Sequence, residues 1–246
     1  MGKETGLGAN FYLDGYDLSG DTGSLEKISK AMTPIPQTGI NKLAIERNAG
    51  QLMAGIDWTS FFNPTNAHPP LKLLPRTDRI ATYFHRELLG TPAASMVCKQ
   101  VDYAGTRAAD GALTLKVSTI SNAWWMDWGL SLTAGIRDDT VATNGLGVDF
   151  SAAFNFGLQA YLQVFEFTGT NATVKLQQSS DNAVGDPYAD VTGGAFTLVT
   201  ADPTKERIQT ARAQAVERWL RVVTTGTFTS ISFAVHVTVN RTEYTI

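Results

Sequence analysis

The chain of 246 residues has one cysteine, three histidines and few charged side chains, 17% of the total. A lone cysteine cannot form an intramolecular disulfide, and no group of Cys and His at ligand spacing is present to hold structural zinc. No apolar run approaches the ~18–20 residues that span a bilayer. The opening Met1-Gly2-Lys3-Glu4-Thr5-Gly6 is polar and lacks the apolar core of a signal peptide, so export is not expected. Met1-Gly2 also fails as a myristoylation start, because Gly6 stands where Ser or Thr is required. No basic patch with interleaved aromatics occurs, which argues against binding nucleic acid through its phosphates. A charged share below the usual ~25% leaves a surface that is polar but uncharged. Thr, Gly, Ala, Ser and Asn fill the deficit. Such a surface suits packing against copies of the same chain.

What the chain does have is apolar content of 43% and a net charge of −3, the balance of a globular protein rather than a disordered one. At this length about 70% of the unfolded surface can be buried, so no covalent staple is needed. The charge is uneven: residues 1–123 carry 12 basic and 11 acidic side chains, residues 124–246 carry 8 and 12.

Strand patterns dominate. Ile231, Phe233, Val235, Val237 and Val239 alternate with Ser232, Ala234, His236, Thr238 and Asn240, which predicts a half-buried strand with His236 on its outer face. Leu52, Ala54, Ile56 and Trp58 alternate in the same way, as do Leu113, Leu115, Val117 and Thr119. Residues 158–167 place Leu158, Ala160, Leu162 and Val164 inside, with Tyr161, Phe165 and Phe167 on a second face that is also covered. Val174 with Leu176, Phe196 with Leu198, and Leu220 with Val222 mark further short strands. Asp110-Gly111, Thr168-Gly169, Gly193-Gly194 and Thr225-Gly226 supply turns between these runs. The expected class is all-β, mainly an antiparallel barrel or sandwich, with long irregular loops and at most one or two short helices. The candidate helices are Ser24–Met32, with Ser24 as N-cap, and a stretch opening at Asp202-Pro203. Two strands, Glu206–Ala211 and Glu217–Thr224, are favoured over the second helix. Residues 14–41 and 60–78, rich in Gly and Pro, read as long irregular loops, which are uncommon without a task. One domain over 1–246 is expected, with a sub-boundary near 136–148 that separates an N-terminal part, 1–135, from a sandwich part, 149–246.

Chemistry-bearing residues give little. His68, His85 and His236 have no partner at ligand or dyad spacing. Ser24-Leu25-Glu26-Lys27 and Ser180-Asp181-Asn182 match two of three elements of the serine β-lactamase set, but the third, K-T-G, is missing. Asp138, Asp139, Asp181, Asp186 and Asp190 lack the spacing of a calcium loop and are expected to shape turns. Trp124, Trp125 and Trp128 offer the strongest candidate surface. On a strand, Trp124, Met126 and Trp128 share one face, which serves either as core or subunit interface or as a platform for sugar rings. The sequence therefore assigns no catalytic, cofactor-binding or metal-ligating residue, and the chain is not expected to be an enzyme.

Several stretches carry a resemblance. Asn10-Phe11-Tyr12-Leu13-Asp14-Gly15-Tyr16-Asp17-Leu18-Ser19-Gly20-Asp21-Thr22 resembles the N-terminus of the major tail-tube and related virion proteins of long-tailed, siphovirus-type phages of actinobacteria. Leu89–Ser95, Lys99–Tyr103, Arg107–Gly111, Trp128-Gly129 and Leu132–Gly135 are similar to the same group. So are Ala160–Val164, Phe167–Val174, Gln178–Asn182, Arg218–Val222 and Phe233–Val235. The resemblance implies a subunit that closes into rings, commonly hexameric, stacked into a tube that conducts DNA without binding it specifically. It implies a location in the virion after synthesis in the host cytoplasm, with no membrane contact. Loops 14–41 and 60–78 would bridge subunits and rings. A tape-measure protein and tail terminator or baseplate proteins are the implied partners. A capsid decoration or minor tail protein with a carbohydrate- or host-surface-binding sandwich is the other member of this group that the residues allow.

Overall fold

The computed structural model describes residues 4–243, so the Met1-Gly2 start lies outside the described residues. The strands are β1 (Asn10–Leu13), β2 (Tyr16–Asp17), β3 (Thr22–Pro36), β4 (Arg47–Phe61), β5 (Arg79–Phe84), β6 (Pro92–Arg107), β7 (Leu113–Ser121), β8 (Asp127–Ser131), β9 (Arg137–Asp139), β10 (Val148–Asp149), β11 (Leu158–Ser179), β12 (Ala189–Ala195), β13 (Thr204–Gln209) and β14 (Trp219–Val239). A four-residue helix, α1 (His68–Leu71), and one 3-10 turn at Ser19–Asp21 accompany them. The protein is all-β and antiparallel, the class expected from its alternating apolar residues. Two compact units form: the first holds the chain up to Gly20, Ile80–Ser95 and everything from Asp127; the second holds Asp21–Arg79 and Met96–Met126.

The first unit is built on β11 and β14, which pair from Leu158↔Val239 to Ser179↔Trp219. Bulges between Val164 and Asn171 bend this long pair. Gly169 sits at the bend because a Cβ there would lie 2.4 Å from the Phe228 Cα. One face of the pair carries Leu158, Leu162, Val164, Val174, Leu176, Phe233, Val235 and Val237, which join Val148, Phe150, Phe196 and Val199 in one buried core. The sheet then continues from β14 through β8, β6, β5 and β1 to β2. Its end is tied back to β11 by the Gln163 side chain. The Gly15 amide donates to Gln163 Oε1 at 2.6 Å, and Gln163 Nε2 donates to the Ile80 carbonyl at 2.9 Å and to Thr82 Oγ1 at 3.1 Å. Tyr12, Phe84, Ala93 and Ala234 form a smaller core. Ala234 and His236 are therefore buried, contrary to the outer-face reading of His236. Both faces of this part of β14 are covered, so alternation alone could not tell inside from outside.

Residues 136–148, the expected sub-boundary, run along β14 within this unit. Arg137–Asp139 pairs with Ile231–Phe233, Asn144 bridges Val223, and Val148 pairs with Leu220. Between 202 and 239 the strand reading holds: β13 flanks β11, and β14 begins at Trp219 rather than Glu217. The Phe196–Leu198 stretch is reduced to a bridge between Val199 and Ala172.

The second unit is a sheet in the order β3-β4-β7-β6. Ala54, Ile56 and Trp58 of β4 are buried, as are Leu115, Val117 and Thr119 of β7 and Met96 and Cys98 of β6. Arg79 is almost fully buried, yet its guanidinium donates to the Pro70 carbonyl and to Gln100, whose own Nε2 donates to the Leu71 carbonyl. These bonds hold α1 against the sheet. Two expectations fail here. Residues 22–36 are one continuous strand, neither the irregular segment read over 14–41 nor the helix read at Ser24–Met32. The strand pairs on one side only, so most of its residues face water and no apolar alternation betrays it. Pro34 and Pro36 fit such an edge, where a missing N–H breaks no ladder. Residues 62–78 are irregular except for α1.

Candidate functional site

The pairing of β3 and β4 continues well past the sheet. β4 meets β7 only over Gly55–Phe61, whereas it pairs with β3 from Ser60 to Arg47. Residues 29–36 and 47–54 thus form a two-stranded arm closed by residues 37–46. A two-stranded ribbon is marginally stable in water by itself. Polar bonds define the end of the arm: Gln37 N to the Glu46 carbonyl at 2.9 Å, Glu46 N to Thr38 Oγ1 at 3.1 Å, Asn48 Nδ2 to Gln37 Oε1 at 2.5 Å, and a Lys42–Glu46 ion pair at 3.2 Å. Most of its large apolar side chains have no cover. Met32, Ile35, Ile45 and Met53 are exposed, and Ile40 and Leu43 are as open as in an isolated residue, 110% and 109%. Apolar side chains gathered on a polar ribbon mark an interaction surface. At the arm's base, Lys30 Nζ lies 5.3 Å from the Trp125 ring, which stacks on Trp124 at 4.1 Å and 25°.

The shared face expected of Trp124, Met126 and Trp128 is not formed, because β8 begins only at Asp127. Trp124 and Trp125 are half-buried in the second unit and Met126 is fully buried. Trp128 belongs to the first unit and is 46% exposed.

The structure also makes one pairing that spacing could not predict. His236 Nδ1 lies 2.9 Å from Ser95 Oγ, a Ser–His contact across 141 positions. Ser95 donates onward to Thr82 at 3.0 Å, and Thr238 lies 3.3 Å from the other ring nitrogen. Tyr161 stacks on the His236 ring at 5.6 Å and donates a hydrogen bond from its hydroxyl to Asp127 at 2.5 Å. Ser95, His236 and Tyr161 are all fully buried, so no substrate reaches them. Burial pushes the imidazole down to about 3 and the Tyr161 phenol up. A neutral histidine in this network ties strands together.

The other candidates are likewise occupied. His68 Nδ1 is 2.7 Å from the Tyr103 hydroxyl, and His85 lies between Tyr83 and Glu4. Ser24 and Lys27 stand on the extended β3, without the helix that S-x-x-K chemistry requires. Asp181 shapes its turn by accepting the amides of Val184, Gly185 and Asp186. Asp139 pairs with Arg137, Asp138 with Ser232, and Asp190 with Lys175. Among the described residues no group of three potential metal ligands occurs, and no helix is long and apolar enough to cross a membrane.

No protein-family model matches the chain, and no curated protein matches it. Solved structures with some likeness include a protein of the virion of a native gene transfer agent particle (TM-score 0.42, 10% identity, over 52% of this chain and 98% of that one). Others are the Dit protein of phage SPP1 (0.33, 14%, over 94% and 99%) and a protein of the phage p2 baseplate (0.33, 10%, over 96% and 99%). These scores are low, and the functional reading that follows is built on this chain's own residues.

Proposed function

We propose that this chain is a non-enzymatic structural protein of a phage virion, the major tail-tube subunit of a long-tailed phage. One polypeptide, 1–246, acts as one protomer that assembles into rings, and stacked rings form the tube. The observation that carries this reading is the β3–β4 arm. It presents Ile40, Leu43 and Ile45 to water and has no cover in the monomer, a state that packing against sister subunits removes. The sequence resemblance, the low charged fraction and the antiparallel architecture support the same reading. The net negative charge suits a lumen that phosphates pass without sticking. Tape-measure, terminator and baseplate proteins are the partners that follow, in the virion after synthesis in the host cytoplasm.

Purified protein examined by negative-stain electron microscopy is expected to give rings or tubes. A double variant, Ile40→Asp with Leu43→Asp, is expected to stay monomeric with an unchanged circular dichroism spectrum. Wild-type protein that stays monomeric at high concentration, or a virion holding only a few copies of the chain, would sink the tail-tube reading. Few copies would point instead to a minor tail role.

A further inference from the structure

Trp128 escapes the assembly reading, and its surroundings are specific. It lines an open groove of about 380 Å3 in the first unit, together with Leu130, Phe150, Asp149, Ser151 and Arg241. The Tyr83 ring packs edge-on against the indole, at 6.3 Å and 71°, which sets the plane of its exposed face. Gly129 follows with no side chain, and a Cβ there would lie 2.0 Å from the Val237 carbonyl. That close approach fixes β8 against β14 and so fixes the indole.

Asp149 is held just as firmly. Arg218 donates to both of its oxygens, at 2.7 and 2.6 Å, and the Ser151 amide donates at 2.7 Å. Those bonds hold its carboxyl down at about 2, so the group is a permanent acceptor. A carboxylate has about four acceptor positions, and three are taken, which leaves room for one hydroxyl. Arg241 also lines the groove, its guanidinium lying over the neighbouring Phe154 ring at 5.4 Å. The groove thus offers a flat apolar face, one fixed acceptor and a neighbouring guanidinium.

We propose that the Trp128 groove binds a neutral saccharide, with the sugar's C–H face on the indole and its hydroxyls bonded by Asp149 and Arg241. A pyranose ring has this composition: one apolar face and a girdle of hydroxyls that both donate and accept. Asp149 is already paired with Arg218, so its remaining lone pair is left for a neutral donor such as a hydroxyl, and an apolar peptide would leave the polar rim unpaired. The site goes beyond ring assembly, since it gives the protein a contact with surface glycans.

The full chain should be titrated with maltohexaose, cellohexaose and arabinogalactan oligosaccharides, by saturation-transfer NMR and tryptophan fluorescence. At least one is expected to bind with Kd on the order of 0.1–1 mM. Trp128→Ala should weaken it at least tenfold, Trp128→Phe should retain most binding, and Asp149→Asn should weaken it several-fold. Near-UV circular dichroism checks that each variant is folded, and Trp128→Phe keeps the test valid if the alanine variant is not. Binding of none of the three saccharides overturns the proposal, as does binding that Trp128→Ala leaves unchanged. Loss of rings in Trp128→Ala with saccharide binding intact would reassign the groove to subunit contact.

Discussion

His236 shows how much one residue can decide. It is uncharged and sealed between Ser95, Thr238 and Tyr161, and in the fold it takes up a proton only near pH 3. The unfolded chain binds that proton near pH 6.5. Below pH 6.5 the unfolded state therefore holds more protons, and stability falls with pH; above it this residue contributes a plateau. Between pH 7 and pH 5 the loss should be about 2 kcal/mol. Thermal melts in this window should show a smaller fall for His236→Gln than for the wild type, and equal slopes would refute the assignment. Phe233, fully buried in the larger core, makes a second case: Phe233→Ala should cost about 3–5 kcal/mol in urea unfolding. Gly129→Ala belongs at this scale too, because the added methyl would strike the Val237 carbonyl and push β8 off β14. Its melting temperature should drop with no change in net charge to account for it.

Among the elements, β3 was hidden, and β11 and β14 were read only in pieces, because Thr168-Gly169 and Thr225-Gly226, expected as turns, lie inside continuous strands. Ile231 to Val239 alternates because one face meets a large core, and burial imprints a period of two on the sequence. Thr22–Pro36 carries no such imprint, since its first half is a half-exposed sheet edge and its second half a ribbon with water on both faces. Its Gly and Pro read as loop, whereas they are the residues an unpaired edge tolerates. The same physics predicts its dynamics. Backbone amides at 30–36 and 47–53 depend on one partner strand and no core, so they should exchange with deuterium long before those of β11 and β14. Exchange as slow as the core's in dilute monomer would contradict the arm. On assembly these amides, and the exposed Met32 and Met53, should become protected from exchange and oxidation.

For the whole molecule, the low charge and the open apolar arm point to one behaviour. A protein stabilised by its own copies gains stability with concentration, so the melting temperature should rise between micromolar and submillimolar protein. The contact proposed at Ile40 and Leu43 would be apolar, since the charges near it, Lys42 and Glu46, already pair with each other. Assembly should therefore persist from 50 to 500 mM NaCl, whereas an electrostatic contact would weaken over that range. The division into units was not legible. Strand β6 gives Pro92–Ser95 to one and Met96 onward to the other without any change in composition. A boundary inside a strand leaves no linker to read.

By itself the sequence determined the all-β class and the strands whose large apolar residues alternate, such as Leu52–Trp58 and Ile231–Val239. Each of these follows from local periodicity or residue type. Only the tertiary structure decided that His236 meets Ser95 across 141 positions, that Trp128 stands open while Trp124 and Trp125 stack, and that an apparent loop is a strand. Those outcomes depend on which strands lie side by side, and pairing between distant strands is set by packing and register, which no short window of residues encodes.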